Sequence, residues 1–319
     1  MKNSDQTYLD HYPVLLTEVL QHLDIKEGGV YLDCTFGAGG YSLGILKQKD
    51  CRLISLDQDK NVLPIAENIK KNFPDNFQFI QTNFADAINK LQGNKFDGIV
   101  LDLGVSSMQI DNPERGFSFM QDGPLDMRMS SEGLSALEFI NNADEAEIAN
   151  VIYKYGEEVQ SRQIAKAIVE YRHTKKITRT LELAEIVRCA MHFRPGKIDP
   201  ATKTFQAFRI HVNQELASLE KLLLDTKFLL KDTGKLVVVS FHSLEDSIVK
   251  NFFKNHSYPK VARSKYSKEA LFPKDGSDFW LQTITKKPII PTREEIKKNV
   301  RSRSAKMRVA QKIGEHNVD

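Results

Sequence analysis

Short apolar runs and amphipathic segments alternate in the first and last thirds of the chain. Four early runs are short and rich in β-favouring residues, which is typical of buried strands: residues 30–34, 52–57, 77–81 and 96–103. The segments 41–47 and 61–71 lie between them and are compatible with helices. Strands that alternate with helices in this way predict a parallel sheet of the α/β class.

The middle of the chain has a different pattern. Between residues 113 and 204 no segment has the pattern of a strand, and amphipathic segments predict helices near 144–155, 159–173 and 180–193. A further helix is predicted to start at the capping box of Ser135 and Glu138. These helices predict a separate helical subdomain.

The α/β pattern then resumes and continues almost to the end of the chain. One long helix is predicted over 205–230, followed by strands at 234–241 and 279–285. We therefore predict a doubly wound, mostly parallel sheet that is interrupted by an inserted α-helical subdomain. The predicted parts are a core at 1–112, a helical insert for substrate binding at 113–204, and a second core part at 205–319.

A glycine-rich turn follows the first predicted strand and precedes a helix. Gly37, Gly39 and Gly40 would let the backbone approach a ligand closely. The turn departs from the dinucleotide fingerprint, because Ser42 stands at the sixth position and Asp33 ends the strand. An acid before the turn disfavours a pyrophosphate and suits an ammonium group. The pattern therefore favours S-adenosylmethionine over NAD.

Other candidate ligands lie where the next strands end. Asp57 ends the second strand, at the distance from the turn where a carboxylate binds the ribose hydroxyls of a nucleoside. Phe84 follows the third strand, and both a cover for adenine and a core position are open for it. Asp102 ends the fourth strand, which should neighbour the first strand at the switch point and bring the loop with Ser106 and Ser107 towards the turn.

Two further segments carry candidate chemistry. His242 lies at the end of the fifth strand, before a helix that Ser243 and Asp246 could cap, and both a capping-loop role and an active-site role are open for it. The stretch 297–308 contains six basic residues and no acid. Such a stretch is usually a solvated or disordered tail, but arginines that alternate with serines also suit phosphate contacts.

The amino-acid composition indicates the class of protein and its cellular compartment but not its function. The 319 residues are 41% hydrophobic and 27% charged, which fits an ordinary globular protein, and the net charge of +3 is too small to indicate a partner. Three distant cysteines indicate reduced thiols and give no metal-binding spacing. No apolar run reaches the ~18 residues of a membrane span. We therefore expect a cytoplasmic protein without a metal site or membrane contact.

Nine motifs, taken together, resemble one protein family. They are HYPVLLTEVL, DCTFGAGGYS, LDLGVSSMQID, RGFSF, DGPLDMRM, YGEE, TFQAFRIHVNQEL, SFHSLEDSIVK and RSRSAKMR, in the family's order along nearly the whole chain. They resemble the RsmH (MraW) family of bacterial small-subunit ribosomal RNA cytosine-N4 methyltransferases. The resemblance implies a Rossmann-like methyltransferase core with a helical insert, and a cytosine of the 16S rRNA decoding centre, near the P-site, as substrate.

The resemblance also implies roles for particular residues. With Asp33 and Gly37 from the pattern above, the expected cofactor contacts are Gly39, Gly40, Tyr41, Asp57, Phe84, Asp102 and Gln109. Two positions depart from the family: Tyr41 replaces a histidine, so only its backbone contact is expected, and Val300 replaces the proline of an Asn-Pro-Arg motif. Apart from these roles, we expect the helical insert and the arginine-rich tail to hold the surrounding RNA. The residues expected to bind RNA are Arg115, Arg128, Arg209, Arg301, Arg303 and Lys306.

The predicted reaction is direct methyl transfer to the exocyclic amine of an unstacked cytosine. Amino-group methyltransferases place a polar motif after strand four to receive the amine, and here Ser106 and Ser107 take that position, while Asp102 holds the cofactor's ammonium. Three alternatives are weaker: a nicotinamide dehydrogenase, an RNA-binding module without catalysis, and a methyltransferase of DNA or protein. The sequence leaves open the oligomeric state, a homodimer included, and whether naked rRNA, the small ribosomal subunit or a late precursor is the partner.

Overall fold

The computed structural model describes residues 13–192, 199–258 and 279–314. The chain divides into two compact units. The first unit comprises Met1–Asp57, Asn61–Gly104 and Ser218–Asp319, and the second comprises Gln58–Lys60 and Val105–Ala217. In the described part of the chain, no helix is long and apolar enough to cross a membrane.

A seven-stranded sheet forms the centre of the first unit. Its strands are β1 (Val30–Asp33), β2 (Arg52–Asp57), β3 (Phe77–Gln81), β4 (Phe96–Asp102), β5 (Leu230–Ser240), β6 (Leu281–Thr283) and β7 (Lys306–Lys312). They lie in the order β3-β2-β1-β4-β5-β7-β6, and β7 runs antiparallel to the other six strands. From β1 the chain first adds β2 and β3 on one side of the sheet and then returns to add β4 on the other side. The point between β1 and β4 is therefore a topological switch point, and ligands bind at such points in sheets of this kind. The predicted Rossmann-like class is confirmed.

Helices and short 3₁₀ turns surround this sheet within the first unit. They include α1 (Leu16–Leu23), α2 (Gly40–Leu46), α3 (Leu63–Asn72) and α4 (Ala87–Lys90), with a 3₁₀ turn at Phe84–Asp86. Another 3₁₀ turn, Lys60–Val62, begins at the last residue of the segment that belongs to the second unit. The core beneath them contains Leu32, Leu56, Ile99 and Val238, all fully or almost fully buried. Strands that are buried on both faces explain the continuous apolar runs in the sequence.

The second unit is helical. It contains α5 (Ser107–Asp111), a 3₁₀ turn at Pro113–Arg115, α6 (Ala136–Asn142), α7 (Glu145–Gly156), α8 (Ser161–Thr174), α9 (Thr180–Ala190) and α10 (Ala201–Asn213). The predicted helices are therefore present, the Ser135 capping box is formed, and residue 193 of the last one lies outside the described residues. The substrate-binding role of this unit stays a prediction.

The prediction of a single helix over 205–230 is wrong. The helix breaks at Gln214, whose φ of 49° is left-handed, so α10 ends at Asn213 and α11 (Glu215–Leu229) follows. The apolar residues before the break, such as Phe205 and Phe208, are buried in the core of the second unit. Those after it, such as Leu222, are buried in the core of the first unit. The predicted boundary at 204 therefore falls inside α10.

The basic stretch 297–308 is not a solvated tail. After α12 (Ser243–His256) and α13 (Arg293–Lys298), the basic segment forms a 3₁₀ turn at Val300–Ser304 and then β7, which inserts between β5 and β6. Arg308 on β7 is only 9% exposed, because its guanidinium group pairs with Asp246 of α12 at 2.6 Å. That buried ion pair lets a basic sequence enter the sheet.

Two predicted helix caps have different outcomes. The run Thr292-Arg-Glu-Glu295 has the spacing of a capping box and predicts the start of a helix. Thr292 does cap α13, with its hydroxyl accepting the backbone N–H of Glu295. The cap of α12 is His242 and not Ser243, because the backbone leaves the strand one residue earlier than the capping-box spacing indicated. Glu245, three residues after His242, completes this box.

Candidate active site

Asp33, at the carboxyl end of β1, is fully buried within the first unit. Its carboxylate accepts the hydroxyl of Ser42 at 2.7 Å and the backbone N–H of Thr35 at 3.1 Å. Burial raises its pKa to about 6, although both hydrogen bonds act to lower the pKa. Ser42, which stands where the dinucleotide fingerprint has a glycine, is therefore the hydrogen-bond partner of this carboxylate. A direct contact of Asp33 with the cofactor stays a prediction.

The glycine turn is fixed by the second strand. The N–H of Gly37 donates to Oδ2 of Asp57 at 2.8 Å. Gly39 has a left-handed φ of 77°, and a Cβ atom on Gly40 would lie 2.3 Å from Cγ of Pro13. Larger residues would therefore strain the turn at both positions. Asp57 holds the turn in place, and its predicted contact with ribose hydroxyls stays a prediction.

The side chain of Tyr41, at the start of α2, makes a hydrogen bond within the protein. It is buried, and its hydroxyl donates to the carbonyl oxygen of Val14 at 2.5 Å. Burial raises the pKa of this phenol well above its usual value. The bond ties the segment around Val14 to the glycine turn, so the Tyr41 side chain has a structural role. Its backbone contact with the cofactor stays a prediction.

Asp102, at the carboxyl end of β4, has a different environment from that of Asp33. Its backbone N–H donates to the hydroxyl of Thr35 at 2.6 Å, but its carboxylate Oδ1 is buried and has no hydrogen-bond partner among the described residues. Burial raises the pKa of Asp102 well above its usual value, and the charges of Asp33 and Glu245 act in the same direction. An unpaired buried carboxylate is costly to the fold, so this group is suited to receive a cation.

Thr35 is a site residue that the pattern of acids and glycines did not indicate. It contacts both carboxylate-bearing residues, through its backbone N–H to Asp33 and its hydroxyl to the N–H of Asp102. The signal in the sequence was a hydroxyl residue directly between the strand and the glycine turn. Phe84 packs against the core of the first unit, which supports the core interpretation, and its contact with adenine stays a prediction.

The loop after β4 enters the second unit and begins a short helix there. Ser106 caps α5, with its hydroxyl accepting the N–H of Gln109 at 3.3 Å, and Oε1 of Gln109 accepts the N–H of Ser106 at 2.9 Å. The amide nitrogen of Gln109 donates to Asp59 at 2.9 Å. Both the oxygen and the nitrogen of the Gln109 amide thus make hydrogen bonds within the second unit. The contact of Gln109 with the cofactor and the catalytic roles of Ser106 and Ser107 stay predictions.

The three arginines predicted to bind RNA in the second unit all have acidic partners there. Arg115 pairs with Asp59 at 2.6 Å, and the guanidinium groups of Arg128 and Arg209 each bind a carboxylate at 2.8 Å. The partners of the latter two are Asp126 and Glu215. These ion pairs give each arginine a role in the fold, and contact with RNA stays a prediction.

The C-terminal candidates of the first unit differ from one another. Arg301 and Arg303 are exposed on the 3₁₀ turn, whereas Ser302 between them is fully buried and donates to the carbonyl of Asn299 at 2.7 Å. Lys306 lies 3.4 Å from Asp246. Over residues 301–303 the side chains therefore point outward, inward and outward, whereas Ser304 is exposed like the arginines. The two arginines form an exposed basic edge.

A mostly parallel sheet with carboxylates at the ends of β1, β2 and β4 and a glycine turn after β1 defines a Rossmann-like methyltransferase. The sequence profile of the MraW methylase family matches residues 8–313, and the chain belongs to this family.

Curated relatives share this sequence over almost their whole length. The protein named ribosomal RNA small subunit methyltransferase H of Rickettsia akari (strain Hartford) is 59% identical over 303 residues, which cover 95% of this chain and 98% of that protein. The proteins of the same name from Rickettsia bellii (strain RML369-C) and Rickettsia prowazekii (strain Madrid E) are each 60% identical over 303 residues. These alignments cover 95% of this chain and 99% and 98% of those proteins.

As a methylase of this family, the chain uses S-adenosylmethionine as its cofactor. The residues of the first unit fit this molecule, because its amino-acid end carries an ammonium group and Oδ1 of Asp102 is a buried carboxylate oxygen without a partner. When bound, the cofactor supplies a methyl group on a positively charged sulfur, which is a strong electrophile.

Proposed function

We propose that the chain methylates the exocyclic N4 of one cytosine in 16S rRNA, in the decoding centre near the P-site. The observation that carries the proposal is the identity of 59–60% with proteins named ribosomal RNA small subunit methyltransferase H, over 95% of the chain. The resemblance of the sequence motifs to the family is the reason for naming cytosine as the base and N4 as the methylated atom. The small ribosomal subunit or a late precursor would be the partner, in the cytoplasm.

The chemistry sets what the protein must do. The lone pair of the cytosine amine is delocalised into the ring, so the amine is a weak nucleophile and its alignment with the methyl group matters most. Well-oriented reactants gain on the order of 7–11 kcal/mol over a bimolecular encounter. As the amine becomes positive its hydrogens become acidic, and hydrogen-bond acceptors near it stabilise the transition state. Within the loop of Ser106 and Ser107, such acceptors would be the Ser107 hydroxyl and the backbone carbonyls, because the Ser106 hydroxyl already caps α5.

The two serines of this loop are expected to differ in their effects. Ser107→Ala should lower kcat about tenfold to a hundredfold, equivalent to about 1–3 kcal/mol, because the amine loses an acceptor in the transition state. The Kd for S-adenosylmethionine should not change. Steady-state kinetics and calorimetry measure the two quantities.

Ser106→Ala is the matched comparison, because the Ser106 hydroxyl caps α5. This variant should cost about 1 kcal/mol of stability through the lost cap. If Ser107→Ala weakens cofactor binding as much as it lowers kcat, the loop binds the cofactor and the proposed role is wrong.

The exposed basic edge of Arg301 and Arg303 is expected to bind RNA phosphates. The double variant R301A/R303A should weaken RNA binding and flatten the plot of log Kd against log salt by about 0.7–0.9 for each arginine that is removed. Affinity should fall for all RNAs alike, because phosphate contacts carry no sequence information. Fluorescence anisotropy with RNA across a salt series makes the measurement.

Lys47 and Lys49 provide a control for general charge, since both are exposed in the same unit. The variant K47A/K49A should leave the salt slope unchanged. An equal loss of slope in the two double variants would show that net charge, and not this edge, governs RNA binding. Lys306 is left out, because its contact with Asp246 links it to stability.

The reaction itself is tested in cells. Small-subunit rRNA from a strain that lacks the gene should lack N4-methylcytidine at one decoding-centre position, and the gene on a plasmid should restore it. Nucleoside mass spectrometry of an isolated rRNA fragment makes the comparison. An unchanged rRNA together with a lost methyl group on DNA or on a protein would favour the alternative methyltransferase.

A further inference from the structure

His242 is buried where β5 passes into α12, and its ring is held on one side. Its side chain is 10% exposed, and its Nδ1 accepts the backbone N–H of Glu245 at 3.5 Å as the cap of α12. The Glu245 carboxylate in turn accepts the backbone N–H groups of Phe241 and His242, at 2.8 and 3.3 Å. The capping box therefore fixes the position of the imidazole.

This geometry determines the proton on the neutral ring. Because Nδ1 accepts a hydrogen bond, the neutral imidazole carries its proton on Nε2. Nε2 lies 3.1 Å from Oε1 of Glu245 but outside hydrogen-bonding geometry, so this buried N–H makes no hydrogen bond to any described residue. Buried donors almost always have a partner, which makes this N–H a candidate for a ligand contact.

The sheet places His242 beside the cofactor residues of the same unit. Asp102 at the end of β4 is opposite Val239 of β5, and the N–H of Leu103 donates to the Val239 carbonyl at 2.9 Å. His242 follows three residues later, at the same edge of the sheet. The Glu245 charge also contributes to the raised pKa of Asp102. A buried acceptor, Asp102 Oδ1, and a buried donor, His242 Nε2–H, thus lie just after two neighbouring strands, and neither makes a hydrogen bond to a described residue.

We propose that His242 binds the target base, with its Nε2–H donating to the ring nitrogen N3 of cytosine. The inference rests on the proposed function and names the residue that selects cytosine. N3 of cytosine is an acceptor, whereas N3 of uracil carries a hydrogen and would leave the buried N–H opposite another donor. A site built to hydrogen-bond a group rejects the analogue that cannot pair with it. Asp102 remains free to serve the cofactor's ammonium, so the two unpaired groups have separate ligands.

Two substitutions separate base binding from helix capping. In His242→Asn the side-chain oxygen replaces Nδ1 and keeps a good cap, but no donor reaches the Nε2 position. In His242→Gln the amide nitrogen reaches that position, but the cap is weaker. The substrate is the small ribosomal subunit from a strain that lacks the gene, and kcat/KM, thermal stability and the Kd for S-adenosylmethionine are measured.

His242→Asn should lower kcat/KM about a hundredfold with unchanged thermal stability and cofactor affinity. His242→Gln should melt earlier but recover most of the lost kcat/KM. In a competition binding experiment, the wild type should bind an RNA fragment with cytosine at the target position about tenfold or more tightly than the same fragment with uracil. The His242→Asn variant should bind the two fragments equally.

Full activity of His242→Asn, or an unchanged preference for cytosine in that variant, would overturn the assignment. A wild-type protein that transfers no methyl group to cytosine would instead overturn the proposed function, so the two failures are distinguishable.

Discussion

Asp102→Asn should weaken the binding of S-adenosylmethionine about tenfold to a hundredfold and, at the same time, raise the melting temperature of the free protein. The affinity falls because the ammonium loses a charged, buried partner, worth about 1.5–3 kcal/mol. The free protein gains stability because the substitution removes a buried carboxylate whose Oδ1 has no hydrogen bond. Calorimetry and thermal melting without cofactor measure the two effects, which have opposite signs.

The pH dependence of stability gives a second readout of the same group. Asp102 has a folded-state pKa well above its unfolded value of 3.8, mainly because of burial. An acid with a raised folded pKa favours folding most when protonated, so its contribution declines as the pH rises from about 3.8 through the folded pKa. Asp102→Asn should remove this part of the decline, which thermal melting across a pH series would detect.

Asp97→Asn is the matched control, since Asp97 lies on the same strand but binds Lys231 at 2.7 Å and the N–H of Val30 at 2.8 Å. It should lower stability and leave cofactor affinity intact. If Asp102→Asn binds S-adenosylmethionine like the wild type, Asp102 does not hold the ammonium.

Asp246→Ala should destabilise the protein by about 3–5 kcal/mol, because it leaves the Arg308 guanidinium buried without a counter-charge. Arg308 is 9% and Asp246 8% exposed, and their side chains form two hydrogen bonds, of 2.6 and 3.1 Å, between β7 and α12. Denaturant unfolding measures the loss. The double variant D246L/R308M, which replaces the pair with apolar side chains, should recover most of it.

The pH dependence at this pair has the opposite sign from that at Asp102. Burial raises the pKa of Asp246, but the hydrogen bond and charge of Arg308 outweigh it, so the net pKa is lowered from 3.8. The stabilisation is present above about pH 3.8 and is lost as the pH falls through the folded pKa. Asp246→Ala should abolish this acid-dependent part, and equal stability of single variant and wild type at neutral pH would contradict the account.

The sequence predicted the part of the fold that depends on local pattern. Strands β1, β2 and β4 are buried on both faces, so their apolar runs were almost continuous, and their ends were marked by Asp33, Asp57 and Asp102. The glycine turn was equally visible, because the left-handed backbone at Gly39 and the close approach of Pro13 to Gly40 require glycine.

Features that depend on distant partners could not be predicted in this way. β7 contains Lys306, Arg308 and Lys312, so its sequence is typical of a solvated segment. Its place in the sheet depends on the ion pair between Arg308 and Asp246, which lies 62 residues away in the sequence. The break at Gln214 is invisible to periodicity, because both sides of it are helical and only the two separate cores distinguish them. The unpaired atoms of Asp102 and His242 likewise appear only when every neighbour has been placed.

Methyl transfer by the purified protein is the most direct test of the proposed reaction. Small ribosomal subunits from a strain that lacks the gene would be incubated with S-adenosylmethionine labelled on its methyl group, and the rRNA would be digested to nucleosides for mass spectrometry. We expect label in N4-methylcytidine from a single decoding-centre position with the wild type and a strongly reduced amount with Asp102→Asn. Label in another nucleoside, or no label in rRNA from an enzyme that binds the cofactor normally, would contradict it.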